Sequence, residues 1–198
     1  MFLNKARAQS HGRIEQYYYT GAGGSTLVPK IFYENNKKWY GEARYNYEEL
    51  RTFSFIAGKV FSNEDVVSYS FTPVAGVVIG KFNGGLLGLK TEMSYNNLFF
   101  SSESQYSFSM ENRNKDFFYS WSDLGYQLRR WMYAGVAMQL IIARETNVSL
   151  EPGIFAGFSI EKWTFPVYMF NPTNNNRHVV LGISYELGSI KNKEAEKK

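Results

Sequence analysis

The stretch from Val67 to Tyr95 constrains this chain more than any other, because it alternates without a break through two long arms. It reads VSYSFTPVAGVVIG, then KFNGG, then LLGLKTEMSY. On the first arm Val67, Tyr69, Phe71, Pro73, Ala75, Val77 and Ile79 fall on one side, with Ser68, Ser70, Thr72, Val74, Gly76, Val78 and Gly80 on the other. On the second arm Leu87, Leu89, Met93 and Tyr95 alternate with Gly88, Lys90, Glu92, Ser94 and Asn96. Successive side chains of a strand point to opposite faces. The ribbon therefore has one apolar face about ten residues long and one that is small, polar or charged. Strands this long and regular are those of a barrel that crosses a membrane.

The same reading extends along the chain. Ile14–Thr20, Leu27–Asn35, Lys38–Glu48, Arg51–Ser62, the two arms just described, Leu98–Met110, Phe117–Leu128, Trp131–Arg144, Ser149–Glu161, Trp163–Phe170 and His178–Leu187 each read as a strand. Polar turns such as ENRNKD and NPTNNNR separate them. That makes about twelve strands in an up-and-down antiparallel meander, or ten if Ile14–Thr20 or Trp163–Phe170 fails to pair. Such a sheet closes rather than leave long unpaired edges. Lys59 breaks the apolar face of its strand, which predicts a bulge or a position at the water level. Phe117–Leu128 reads with a change of phase near Ser122-Asp123.

Alternation alone does not say which face is inside, since a soluble barrel inverts the pattern. The face made by Ser68–Gly80 carries no charge, which makes a poor solvent surface and a good lining for a narrow interior. Aromatics are 18% of the 198 residues. They gather at strand ends (Trp39, Tyr45, Tyr47, Phe61, Tyr95, Trp121, Trp131, Trp163), as in the girdles at membrane interfaces. No apolar run is long enough for a membrane-spanning helix. Both observations favour a transmembrane barrel.

On this meander, the girdles and the Ala6-Arg7-Ala8-Gln9 junction, the chain resembles small outer-membrane β-barrel proteins of Gram-negative bacteria, of the type found in Bacteroidetes. The resemblance covers Ile14 to Leu187 and is architectural. It implies residence in the bacterial outer membrane and contact with its lipid. One departure is that eleven residues follow Leu187 where many such proteins stop at an aromatic. The assembly signal is then expected in Tyr185-Glu186-Leu187. The expected organisation is a tail at 1–13, the barrel at 14–187 and a polar, solvated tail at 188–198. Ala6-Arg7-Ala8 reads either as the end of a secretory signal or as part of an ordinary polar tail.

Chemistry is sparse. The sequence has no Cys, which removes thiol catalysis and Cys-based metal sites. Of its two His, His11 falls in the expected tail and His178 at the rim beside NPTNNNR, without a catalytic motif around it. No catalytic, cofactor or metal site is expected. The net charge of +4 is scattered, which argues against nucleic acid as a partner. The polar feature is a set of inward candidates expected to line the lumen: Lys30, Glu34, Glu42, Arg44, Lys90, Glu92, Glu103, Gln105, Gln127, Gln139, Glu151 and Glu186.

Two functions follow. The first is a non-enzymatic barrel with a largely filled polar lumen, acting as a structural or accessory subunit of a larger outer-membrane complex. The alternative is a narrow channel for small hydrophilic solutes. Two details are sharp enough to check. A two-residue turn at Asn96-Asn97 sets Lys90 opposite Glu103, so that Lys90→Ala alone is expected to destabilise more than loss of both. The turn at Asn83-Gly84-Gly85 must have odd length, with a left-handed glycine, for both arms to keep one apolar face.

Overall fold

The structure, a computed structural model, describes residues 10–21, 24–144 and 148–187. The expected signal junction and the 188–198 tail lie outside them. The strands are β1 (His11–Gly21), β2 (Gly24–Glu34), β3 (Trp39–Tyr45), β4 (Thr52–Lys59), β5 (Phe61–Glu64), β6 (Ser68–Gly80), β7 (Gly84–Tyr95), β8 (Leu98–Ser109), β9 (Phe117–Arg129), β10 (Met132–Ala143), β11 (Ser149–Ile160), β12 (Trp163–Phe170) and β13 (His178–Leu187). Each pairs antiparallel with its neighbours, β1 closes against β13, and β4 and β5 lie end to end along β6. The result is a closed twelve-stranded up-and-down barrel in which β4 and β5 are one barrel strand.

The break in that strand is not a bulge. Gly58 pairs with Val74 and Phe61 with Phe71, so the register is the same on both sides. In that register Pro73 stands opposite Lys59, and proline has no N–H to give the ladder. On the other side Val60 N–H donates to Lys38 O at 2.9 Å, in line with the β3–β4 register. Lys59 sits at the outer rim, its Nζ 2.6 Å from Lys37 O and over the Trp39 ring. Of the two readings of Lys59, the water-level one describes the structure.

Alternation places the apolar face outward. Leu27, Ile31, Phe53, Val77, Leu87, Val136, Ile154 and Leu181 are all exposed on the outer surface. A continuous apolar exterior on a closed sheet belongs in hydrocarbon, where every backbone polar group must be paired within the protein. Trp39, Phe61, Tyr95, Trp131 and Trp163 stand exposed at one end, the end where β1 starts and β13 finishes. At this terminal end the connections are short (35–38, 65–67, 96–97, 130–131, 161–162). At the opposite, loop end they include the longer 46–51, 110–116 and 171–177.

The β7–β8 register is as expected, with Lys90 opposite Glu103. The β6–β7 turn has odd length, but it is Lys81–Asn83; Gly84 and Gly85 belong to β7, and the glycine with positive φ (144°) is Gly80. Two expectations need correction. β1 starts at His11, because His11–Arg13 continue the ladder opposite Phe32–Glu34 on β2. And β9 has no change of phase near Ser122-Asp123: Ala137 pairs with Asp123 and Met138 with Ser122 in a register that runs unbroken from Phe117 to Gln127 and shifts only beyond it, between Tyr133 and Met132 on β10. Its first half reads as out of phase because Phe117, Tyr119 and Trp121 are aromatics that point inward.

The outer face sets an energetic test. Leu89 lies midway along β7 on the outer surface. Leu89→Lys should cost about 2–4 kcal/mol of folding free energy in bilayers, and Leu98→Lys, at the terminal end, about 0–1 kcal/mol. Reversible refolding into lipid vesicles measures both.

Candidate functional site: the lumen

Two walls of different chemistry line the interior. The first is ionic and crosses it. Glu103 on β8 accepts from Lys30 on β2 at 3.2 Å, Arg44 on β3 at 2.6 Å and Lys90 on β7 at 3.0 Å. Because β2 and β8 are not neighbours in the ladder, these contacts span the lumen. Glu42 receives Lys90 at 2.6 Å and Arg44 at 3.3 Å, while Glu15 lies 3.9 Å from Lys30 and 3.3 Å from Arg13. Gln105 accepts from Arg44, and its amide donates to Ser107 at 3.1 Å.

The connection 46–51 completes this wall. Asn46 and Arg51 both adopt positive φ (59°), and Asn46 Oδ1 accepts from Arg51 N at 2.7 Å. Closed this way, the loop turns Tyr47 and Glu48 into the barrel. Arg44 Nε donates to Glu48 at 3.0 Å, Ser54 also bonds Glu48, and the Arg44 guanidinium lies 3.7 Å from the Tyr47 ring centre. The side chains of Arg44, Glu42 and Glu48 have no solvent exposure. Charges so far from water hold only because each has an opposite partner. At the same end Phe82, from the β6–β7 turn, is buried against Phe117 with ring centres 5.7 Å apart.

The second wall is aromatic. Tyr17 and Tyr19 on β1 face Trp121 on β9, with ring centres 6.0 and 6.3 Å away. Tyr133, Phe155 and Tyr168 follow on β10, β11 and β12. Glycines make room for these rings: a Cβ at Gly157 would come within 2.4 Å of the Tyr133 ring, and one at Gly125 within 2.2 Å of Phe99. In the middle stands Asp123, accepting from Trp121 Nε1 at 2.8 Å and Tyr168 Oη at 3.0 Å.

Between the walls runs a cavity of about 360 Å³, from His11, Glu34, Glu92 and Glu186 near the terminal end inward to Tyr19, Tyr47 and Trp121. Lys30, Glu34, Lys90, Glu92, Glu103 and Glu186 line it. Glu42, Arg44 and Gln105 lie behind it in the ionic wall. Gln139 and Glu151 pair on β10 and β11 near the loop end, where Gln139 is buried with its amide nitrogen unpartnered among the described residues and Glu151 lies 3.8 Å from His178 Nε2. His178 stacks on Phe170 at 5.1 Å. Gln127 donates to Arg129 O at 2.6 Å beside the β9–β10 turn. Tyr47 and Trp121, expected in the girdle, are inside. Glu15, Glu48, Asp123 and the inward tyrosines were missed from the sequence. Counting alternation back from Gln127 would have placed Asp123, Trp121 and Tyr119 on its face.

The comparisons agree on the fold. No protein-family model and no curated protein matches the sequence. Among solved structures, the barrel is similar to the KdgM porin in complex with disordered oligogalacturonate, at 12% identity and a TM-score of 0.67, covering 87% of this chain and 98% of that one. It is similar also to the NanC porin, at 10% identity and a TM-score of 0.61, covering 88% of this chain and 98% of that one. The fold is thus that of small outer-membrane porins, and a barrel with this lipid-facing exterior sits in the bacterial outer membrane. Neither likeness bears on the Bacteroidetes type or on a subfamily.

The geometry reverses one expectation. Lys90→Ala leaves Glu103 with two cations, whereas Glu103→Ala leaves Lys30, Arg44 and Lys90 crowded around a lost carboxylate. Glu103→Ala should cost about 3–5 kcal/mol and Lys90→Ala clearly less, with Lys90→Ala/Glu103→Ala no better than Glu103→Ala alone. Thermal unfolding of the detergent-solubilised variants orders them.

Proposed function

We propose that this chain is a narrow channel for small hydrophilic solutes. The observation that carries this reading is the open cavity between the ionic and aromatic walls of a closed barrel, in a fold shared with the KdgM and NanC porins. Outer-membrane barrels carry short turns on the periplasmic side and longer loops outside. On that rule the terminal end faces the periplasm, and the inward-turned Tyr47, Glu48 and Phe82 lie toward the exterior. The accessory-subunit reading finds no support in the comparisons.

The ionic wall narrows the pore without making the barrel inert. Fixed charges of both signs next to a polar opening hold ions and hydrated solutes better than an apolar plug does. The KdgM structure holds oligogalacturonate, a polyanion. Here six carboxylates (Glu15, Glu34, Glu92, Glu103, Asp123, Glu186) line the cavity against Arg13, Lys30 and Lys90. That balance disfavours an acidic oligosaccharide as this chain's solute.

Purified protein in planar bilayers should give small stepwise conductance, well under that of an open general porin. Tyr47→Ala, which removes a ring from the inner end of the cavity, should raise it about twofold. A silent bilayer for both proteins would overturn the channel reading.

A further inference from the structure

Asp123 is held in an unusual way for a carboxylate inside a barrel. Of the six carboxylates lining the cavity, Glu15, Glu34, Glu103 and Glu186 each have a cation within salt-bridge reach. Among the described residues Asp123 has none; its oxygens are taken by two neutral donors, Trp121 Nε1 at 2.8 Å and Tyr168 Oη at 3.0 Å. Hydrogen bonds from neutral groups fix the direction of a carboxylate but leave its charge uncompensated. Among the described residues Glu92 likewise has no cation within salt-bridge reach, and it lies nearer the terminal rim.

The surroundings of Asp123 narrow what could answer that charge. Tyr17, Tyr19, Trp121, Tyr133, Phe155 and Tyr168 line the same part of the cavity. A hard metal cation wants several oxygen ligands, and one carboxylate among rings does not supply them. Aromatic faces instead attract weakly hydrated cations, alkylated ammonium groups above all, and a nearby carboxylate adds to that attraction. The cavity, about 360 Å³, holds a molecule of a few heavy atoms with a polar body. The phenol groups at its walls can hydrogen-bond such a body.

We infer that the recess formed by Asp123 and these rings binds a small organic ammonium ion, and that such cations are the solute class of the channel proposed above, on which this second clause rests. A cation drawn past Glu92 leaves water stepwise, meeting ring faces before the carboxylate. Occupying the recess requires no change in the ionic wall, because Glu103 keeps its own three cations.

Choline is the probe, and 3,3-dimethylbutan-1-ol, its uncharged isostere, is the control. Trp121 is a built-in reporter, since Trp39, Trp131 and Trp163 stand on the outer surface at the terminal end. Titrating the full chain in detergent, by tryptophan fluorescence and calorimetry, should show saturable choline binding in the millimolar range. The isostere should bind about tenfold more weakly or worse. Asp123→Asn should weaken choline about tenfold and leave the isostere unchanged, with an unfolding temperature like that of the parent. Tyr17→Leu, which removes a ring and leaves the carboxylate, should also weaken choline. Equal affinity for probe and isostere, no binding by the parent, or an Asp123→Asn variant that binds as well as the parent overturns the recess. Bilayers with a choline chloride gradient separate the two readings. Cation-selective current without saturable binding keeps the channel and removes the recess, and binding without current keeps the recess and removes the channel.

Discussion

Everything in this molecule depends on one requirement: a backbone amide in hydrocarbon must find its partner within the protein. A sheet meets it only by closing, here through β1 on β13 and through β4 and β5 on β6. Closure fixes which side of each strand meets lipid, and a period of two then sends every other residue into a confined interior. The lumen is therefore no separate invention. It is where the residues left over from the lipid-facing pattern must settle their charges and volumes against one another.

That interior is divided by chemistry. On the β2, β3, β7 and β8 side, Lys30, Arg44 and Lys90 converge on Glu42 and Glu103. On the β9 to β12 side and on β1, rings pack onto glycine-lined wall. Each side solves confinement differently: opposite charges neutralise one another where water is scarce, and rings fill space where backbones carry no side chain. The space left open lies where the two solutions meet, along the cavity between them. Asp123 sits on the aromatic side and is thereby left out of the ionic pairing.

How much of this was legible in the sequence depended on how clean the alternation was. On β6 and β7 the outward residues are apolar and the inward ones small or charged, so both register and facing could be read, down to the Lys90–Glu103 pair. On β9 both faces carry aromatics, hydrophobicity no longer separates lumen from lipid, and a continuous strand looked broken. Tyr47 and Glu48 were illegible for another reason. They reach the lumen by way of a loop whose inward turn rests on two left-handed residues, Asn46 and Arg51, and alternation says nothing of loops. The charged lining residues were visible one by one, but that three cations share a single carboxylate depends on the curvature of the closed sheet.

The contacts of Glu103 have a consequence for how the barrel is assembled. Lys30 lies 73 residues away in the chain and Arg44 59. Until β8 curls round toward β2 and β3, these groups are solvated ions on a flat or partly rolled sheet, at ease in water and costly in lipid. The clasp closes only with the last turn of the sheet, and once shut its Arg44 end lies out of water's reach. Its strength should then be felt mostly on the way out: little gained in the speed of insertion, and much in the time the barrel stays rolled.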